Sequence, residues 1–401
     1  MLFLVVVVGA FGLGQRSVVK RDKAYYLTRD ARAYLSHEWR MLVGAFRLRK
    51  ESDIEEGKET IVQSNDFEVH LVMLTTLGNT EKTAGFVRNG DGMLQKFEQL
   101  HVFDLWKRYR VSEFLPDAEP TTVHGGGLKQ VMSYEGSLIG LVSMKADECF
   151  FAALINFDQR AELFRSPCIP NNDFVDFNSL GGAHVVEDDG ILMSLGSPAS
   201  DEQTISNLAQ DPSSPYGKIL RFDKARLQGV VAEKSAFEIH SRGHRNPQGM
   251  VRMGDKIYAV DHGPKGGDKI NRIQPDKNYG WPLYSLGSRY SGQPYPTAGD
   301  PALFEPALFS FVPSLAPSDI AACPEPLASR YAPFQCVLIT TLRGTSLLIA
   351  LIDGQDRVVS IEQLQVDMRL REFVQLEDGL AVSTDGEGVY RLLFKEDFSR
   401  Y

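Results

Sequence analysis

Arg245 and Asn246 stand side by side in Arg245-Asn246-Pro247-Gln248-Gly249, a guanidinium and a carboxamide with fixed N–H donors for the oxygens of a planar ligand. His262-Gly263-Pro264-Lys265-Gly266-Gly267-Asp268 follows, rich in glycine and proline and poor in covering side chains. Its bare carbonyls and amides suit a flat polyanion or a hard cation. A third block, Asn278-Tyr279-Gly280-Trp281-Pro282, closes the stretch 243–282. Farther on, Arg369 and Arg371 flank Leu370. Residues i and i+2 of a strand share a face, so two guanidiniums there either grip carboxylates together or form a solvated strand face. Proton acceptors for such a site are imidazoles, of which His124, His184, His240, His244 and His262 lie in this part of the chain.

Loops on a rigid sheet must present these groups. The runs 249–253 and 256–260 alternate as strands do and separate the first two blocks, placing the polar residues at strand ends. The same unit recurs. Val185-Val186, an acidic-glycine turn (Glu187-Asp188-Asp189-Gly190), the run 191–195 and Ile219-Leu220-Arg221 make one copy. The run 250–253, Gly254-Asp255, the run 257–260 and Ile270-Asn271-Arg272 make a second; the run 373–376, Glu377-Asp378-Gly379, the run 380–383 and Val389-Tyr390-Arg391 make a third. Strand, turn, strand, loop and an arginine-bearing strand, repeated, is the pattern of a β-propeller. Further short strands are expected at 337–342, 347–352 and 358–361, and a first blade from residue 61, with strands at 68–74, 82–87 and 93–97 and a hairpin turn at Asn89-Gly90-Asp91-Gly92. Nothing alternates as βαβ, which excludes a dinucleotide-binding Rossmann domain.

The 401 residues are 43% hydrophobic, ample for a core, and all-β chains of this length are often single domains. The net charge of −9 excludes a nucleic-acid binder, which needs a basic footprint. Residues 2–13 (LFLVVVVGAFGL) are uninterruptedly apolar, shorter than the ~20 residues of a comfortable span and similar to a signal-peptide core. No small-x-small cleavage site follows, and Arg16, Lys20, Arg21 and Lys23 come next. A buried first strand is the plainer reading; the terminal position favours export or anchoring, while the basic flank favours a cytoplasmic side, so the topology stays open. The segment 22–50 has apolar residues at near-helical spacing (Leu27, Ala31, Leu35, Trp39, Leu42), an amphipathic helix followed by a charged linker, 49–58. The expected organisation is thus 1–23 as a signal- or anchor-like segment, 24–60 as helical extension and linker, and 61–401 as propeller. Four cysteines without C-x-x-C spacing argue against zinc; Cys323 and Cys336 flank a proline-rich loop and are either its disulfide, in an exported protein, or two buried thiols.

In its three ordered blocks the chain resembles the soluble quinoprotein glucose dehydrogenases and aldose sugar dehydrogenases, the glucose/sorbosone dehydrogenase family, from about residue 125 to residue 394. The resemblance implies a six-bladed β-propeller carrying pyrroloquinoline quinone (PQQ) over its channel, and oxidation of an aldose to its lactone by hydride transfer from C1. Carried over residue by residue, Arg245 and Asn246 match the pair on the quinone oxygens. Gly263 and Pro264 match the carbonyls that hold calcium under PQQ, and Arg343 stands where a cofactor-contacting lysine is usual. Arg369 and Arg371 match the pair on its carboxylates, Tyr279 matches a ligand of a second calcium, and Pro313-Ser314-Leu315-Ala316-Pro317-Ser318 resembles another loop at the top of the propeller. A neutral sugar and a respiratory electron acceptor are the partners implied, with the protein periplasmic or membrane-anchored, facing the periplasm or exterior.

The departures fall on the chemistry. Ser179 stands where the family's catalytic histidine opens its motif, in Ser179-Leu180-Gly181-Gly182-Ala183-His184, and a serine hydroxyl is no base without a partner. Gly125 stands where Gln-Gly-Gly-Leu has its glutamine, and Lys269 where a calcium-binding glutamate is found in some relatives, either repelling a cation or replacing its charge. His124, beside Gly125, is the candidate surrogate base that the resemblance offers; His184 reads as a core histidine, His262 as orienting its loop, His240 and His244 as surface or supporting residues. Two readings stand: a PQQ-dependent sugar dehydrogenase, or a catalytically degenerate propeller retained as a ligand-binding or interaction module. A lactonase-type hydrolase needs clustered acidic channel ligands, and no such set is assigned.

Overall fold

The structure, a computed structural model, describes the strands Glu59–Gln63, Glu68–Thr76, Phe86–Arg88 and Leu94–Lys96 and then residues 102–394, apart from 148, 171–174, 200–202, 231–232, 291, 296–299, 326, 377–378 and 386–387. The apolar segment 2–13, the amphipathic helix at 22–50 and the turn at 89–92 lie outside the described residues.

Five antiparallel sheets follow one another, each opened by a strand that we number: β1 (Leu128–Tyr134), β2 (Gly181–Glu187), β3 (Pro247–Met253), β4 (Pro317–Ala322) and β5 (Leu370–Leu376). β2 continues into Gly190–Leu195, Lys218–Asp223 and Glu238–Arg242; β3 into Lys256–Asp261, Asp268–Ile273 and Phe309–Phe311; β4 into Gln335–Thr341, Ser346–Ile352 and Val358–Gln365. Leading strands of successive sheets pack side by side, which makes them the inner ring. Middle strands such as Ser346–Ile352 read as unbroken apolar runs because neighbouring sheets cover both their faces, whereas the outer Val358–Gln365 is largely exposed and polar. The core therefore lies between sheets: Leu154 and Phe164 against Ile191, Met193 and Leu220, then Tyr258 and Ile270 against Ile339 and Leu348. Each such aliphatic side chain, fully buried, contributes ~1.5–3 kcal/mol.

Ring closure comes from the N-terminal side. Glu68–Thr76 pairs with Gly388–Phe394, so the fifth sheet runs β5, Gly379–Thr384, Gly388–Phe394, Glu68–Thr76, Glu59–Gln63. A propeller that shares a sheet between its two chain ends protects an otherwise open edge. The described residues form five full sheets, and Phe86–Arg88 with Leu94–Lys96 makes a two-stranded hairpin, which packs against β1. The three repeat copies are the first three strands of the second, third and fifth sheets. The first sheet (β1, Ser137–Ala146, Cys149–Asn156, Ala161–Arg165) was not anticipated as such. Both cysteine pairs are joined, Cys323 to Cys336 and Cys149 to Cys168; the first takes one of its two readings, and the second was not foreseen.

Candidate functional site at the mouth of the propeller

In an antiparallel sheet the entry to the first strand and the turn between the second and third lie at the same end. Arg245 and Asn246 enter β3, 262–267 is its second turn, Gly125 enters β1, Ser179 enters β2, Arg369 enters β5, and Arg343 sits in the second turn of the fourth sheet. The topology thus gathers onto one face the residues that the sequence scatters over some 250 positions.

Hydrogen bonds knit one half of this face together. Asp261, ending Lys256–Asp261, accepts the backbone N–H of Asn246 (2.7 Å) and of Arg245 (3.2 Å). Burial alone would raise this carboxyl, but His244, 3.6 Å away, and the Asn246 N–H hold it below the usual carboxylate range. The Asn246 side chain accepts from Gly181 N–H (3.0 Å) and Gln248 Nε2 (2.8 Å) and donates to the Asn178 carbonyl (3.3 Å). It therefore ties β3 to the turn that precedes β2. Arg245 is buried, donates through Nη1 to the carbonyls of Gly263 (3.0 Å) and His262 (3.3 Å), and lies 5.4 Å over the Trp281 ring. Its Nε–H is buried without a protein partner, as are Trp281 Nε1 and Ser197 Oγ, whose backbone N–H donates to the Arg245 carbonyl. Such orphaned donors are rare in folded proteins and mark a place made for a ligand or ordered water.

Asp268 fastens the loop. It is fully buried, accepts the Gly263 N–H at 2.9 Å on one oxygen, and takes Ser314 Oγ (2.6 Å) and the N–H groups of Leu315 and Ala316 (2.8 Å each) on the other. The loops 262–268 and 313–316 are one unit because of it. Only glycine fits at 263, where a Cβ would stand 2.1 Å from the Gly266 carbonyl oxygen. His262 spans the same gap, its Nε2 2.8 Å from the Pro317 carbonyl and its Nδ1 3.4 Å from Asn246 Nδ2. Burial, then, lowers its basicity, and its expected orienting role matches these contacts.

The other half is cationic. Arg369 and Arg371 do point the same way, and both meet Asp385: Arg369 Nε at 2.8 Å, Arg371 Nε at 2.5 Å and Nη2 at 3.2 Å. All three side chains are partly exposed. Arg369 also reaches the Leu342 carbonyl at 3.4 Å, and neighbouring Arg343 is exposed. Lys129, which the sequence reading passed over, joins them: its Nζ donates to the Gly125 carbonyl at 2.6 Å, with Arg371 and Asp176 as charged neighbours. The signal was its place directly after Gly125-Gly126-Gly127-Leu128.

The remaining expectations meet a mixed arrangement. Tyr279 is buried and stacked on His244 (4.6 Å); its hydroxyl donates to the Arg272 carbonyl (2.5 Å) and accepts the Gln274 N–H (3.0 Å), and its carbonyl accepts from Lys269 Nζ (2.9 Å). Both oxygens of Tyr279 are engaged, and the Lys269 amine sits beside them. His244 is fully buried against Ser241 and Asp261, so of its two readings the supporting one holds. His184 is packed against Gln130 (3.2 Å), as expected of a core histidine. His124 rests edge-on against Phe150 at 5.3 Å, and Ser179 is buried in the short 3-10 turn Phe177–Ser179. At Gly125 φ is +70°, which strains any residue with a Cβ, and a Cβ would fall 2.2 Å from Asn178 Nδ2, so a glutamine here would be strained and would push the Asn178 side chain aside. Among the described residues no three His, Cys, Asp or Glu side chains group as a metal site.

Known proteins share stretches of this sequence and this fold. The chain is 29% identical over 223 residues to the uncharacterized protein slr1608 of Synechocystis, covering 50% of this chain and 52% of that one. It is 38% identical over 132 residues to the aldose sugar dehydrogenase YliI of Escherichia coli, covering 30% and 33%. The matched segments thus span about half or less of these relatives. In fold it resembles the apo-form soluble aldose sugar dehydrogenase of E. coli (TM-score 0.61, 21% identity, 82% of this chain and 99% of that one) and the PQQ-bound aldose sugar dehydrogenase of Streptomyces coelicolor (TM-score 0.55, 19%, 82% and 98%). The family Glucose / Sorbosone dehydrogenase matches residues 161–392, more than half the chain, and to that family this protein belongs.

Proposed function

We propose that this protein oxidises an aldose at C1 to its lactone, passing the hydride to PQQ held over the mouth of a six-bladed propeller. The observation that carries the reading is the buried Arg245 with an unmet Nε–H beside Asn246, opposite the Arg369–Arg371 pair. A planar molecule with quinone oxygens and carboxylates fits this set, because guanidiniums and carboxamides match both oxygen types. Family membership and the PQQ-bound relative support it. When bound, PQQ supplies a two-electron hydride acceptor. The protein's share is to bind and orient: Arg369 and Arg371 exchange Asp385 for ligand carboxylates, Arg343 adds charge at the rim, and Arg245 and Asn246 donate to the quinone oxygens. Calcium on the Gly263 and Pro264 carbonyls would have to displace Arg245, since a guanidinium now uses the Gly263 carbonyl.

The hairpin Phe86–Arg88 with Leu94–Lys96 belongs, in this reading, to the sixth blade of a propeller spanning 61–401. Two disulfides favour an oxidising location, periplasmic or anchored facing outward, where a respiratory acceptor would reoxidise the cofactor. A second reading, a degenerate propeller that binds ligand without turnover, is favoured by Ser179 at the histidine position and by the left-handed backbone at Gly125, which disfavours a glutamine there. Calorimetric titration of the full chain with PQQ, with and without calcium, followed by dye reduction with a panel of aldoses, separates the two. Binding with sugar-dependent reduction supports the dehydrogenase, binding without it the degenerate propeller, and no binding removes both cofactor readings.

A further inference from the structure

Losing hydride from a carbinol carbon yields a carbonyl only if the hydroxyl proton has somewhere to go. Ser179 offers no base, and the nearby imidazoles are spent or set aside. His262 is engaged at both ring nitrogens, His244 is fully enclosed, and His184 Nδ1 faces the Gln130 amide. His124 lies against Phe150.

Lys129 is placed differently. It is the second residue of β1, at the end where the chain enters the mouth, and is only partly buried. The Gly125 carbonyl that fixes its Nζ belongs to a residue in contact with Asn178, and the Asn178 carbonyl in turn accepts from Asn246. The amine is thus linked through Gly125 and Asn178 to Asn246, and Arg371 is among its charged neighbours. Resting on the proposed dehydrogenase reading, we infer that Lys129 is this chain's general base, its neutral amine taking the C1 hydroxyl proton. The C1–H electron pair leaves as hydride to the ortho-quinone, the C1–O double bond forms, the sugar is oxidised and the quinone reduced by two electrons. The resulting ammonium later returns its proton to solvent.

The environment suits the task. Burial above all lowers the ammonium to about 8, with Asp176 from the turn before β2 opposing it and Arg371 adding to it. At neutral pH roughly a tenth of the amine is free, against under a thousandth for an ordinary lysine near 10.4.

Two experiments on the full chain test this. In the apo-protein, competitive acylation with acetic anhydride across pH, read by peptide mass, should show Lys129 titrating near 8; titration above about 10 overturns the inference without reference to cofactor or turnover. In the PQQ-loaded protein, Lys129→Met should keep PQQ affinity within about threefold and cut sugar-dependent dye reduction by about 10²-fold or more. Lys129→Arg should fail equally, and the wild-type rate should rise with pH on a limb near 8. Wild-type turnover that survives Lys129→Met, or is abolished by His124→Ala alone, overturns the inference while leaving the dehydrogenase standing. Absence of wild-type turnover with PQQ bound removes the dehydrogenase reading and the base with it.

Discussion

Replacing Asp268 by asparagine isolates what holds the mouth together. The carboxylate takes four hydrogen bonds inside the protein, one from Gly263 and three from the 314–316 turn. Asparagine keeps the shape but has one acceptor. With its oxygen on the three-donor side, its NH2 faces the Gly263 N–H, and a charge-assisted bond worth about 1.5–3 kcal/mol is lost. The three retained bonds, no longer to an ion, weaken by about 0.5 kcal/mol each. Relief of charge burial offsets part of this, leaving a net cost of about 3 kcal/mol. In urea unfolding, Asp268→Asn should lower stability by that amount with an unchanged slope. The effect should also be local: at tenfold per 1.4 kcal/mol, amide exchange at Gly263, Leu315 and Ala316 should quicken by about 10²-fold if these amides open with the loop pair. A variant within about 0.5 kcal/mol of wild type, with those amides still protected, would refute the claim that Asp268 couples the two loops.

Arg371→Ala should weaken PQQ binding by about tenfold or more, read by calorimetry, yet cost under about 1 kcal/mol of stability because its pair with Asp385 is partly exposed. Burial pushes Asp319 up to about 8, against the N–H groups of Phe373 and Ile320, and Glu372 up to about 7, against Arg371. Carboxyls raised on folding stabilise fully below their unfolded value near 4 and lose that contribution as pH rises through the folded value, so stability should fall between about pH 5 and 8, and Asp319→Asn should flatten the slope. Breaking Cys323–Cys336 with the double serine variant, a sequence separation of 13, should cost about 3 kcal/mol in denaturant unfolding; an unchanged midpoint would mean the bond constrains nothing in the unfolded chain.

What the sequence disclosed, and what it withheld, follows from where information sits in a propeller. Strand–turn–strand units are local, so their period is visible along the chain, and the copies at 185, 250 and 373 became the leading hairpins of three sheets. The first sheet escaped because Ser137–Ala146 and Cys149–Asn156, covered on both faces, are apolar runs without alternation, and only pairing distinguishes such runs from other buried segments. The site is legible by the same rule. Arg245, Asn246, Arg369 and Arg371 stood out because dense polar blocks and an i, i+2 pair are local signals, and the shared direction of the two arginines follows from strand geometry alone. Their partners did not: Asp385 meets them only after the fifth sheet folds back, and Asp268 matters because three donors arrive from a loop some 45 residues away. Lys129 shows the limit most clearly. Its place directly after Gly125-Gly126-Gly127-Leu128 is the one local sign that it is other than a surface lysine. Its lowered basicity comes first from burial, with Arg371 adding to it and Asp176 opposing it, and both of those charges belong to elements far away in the chain.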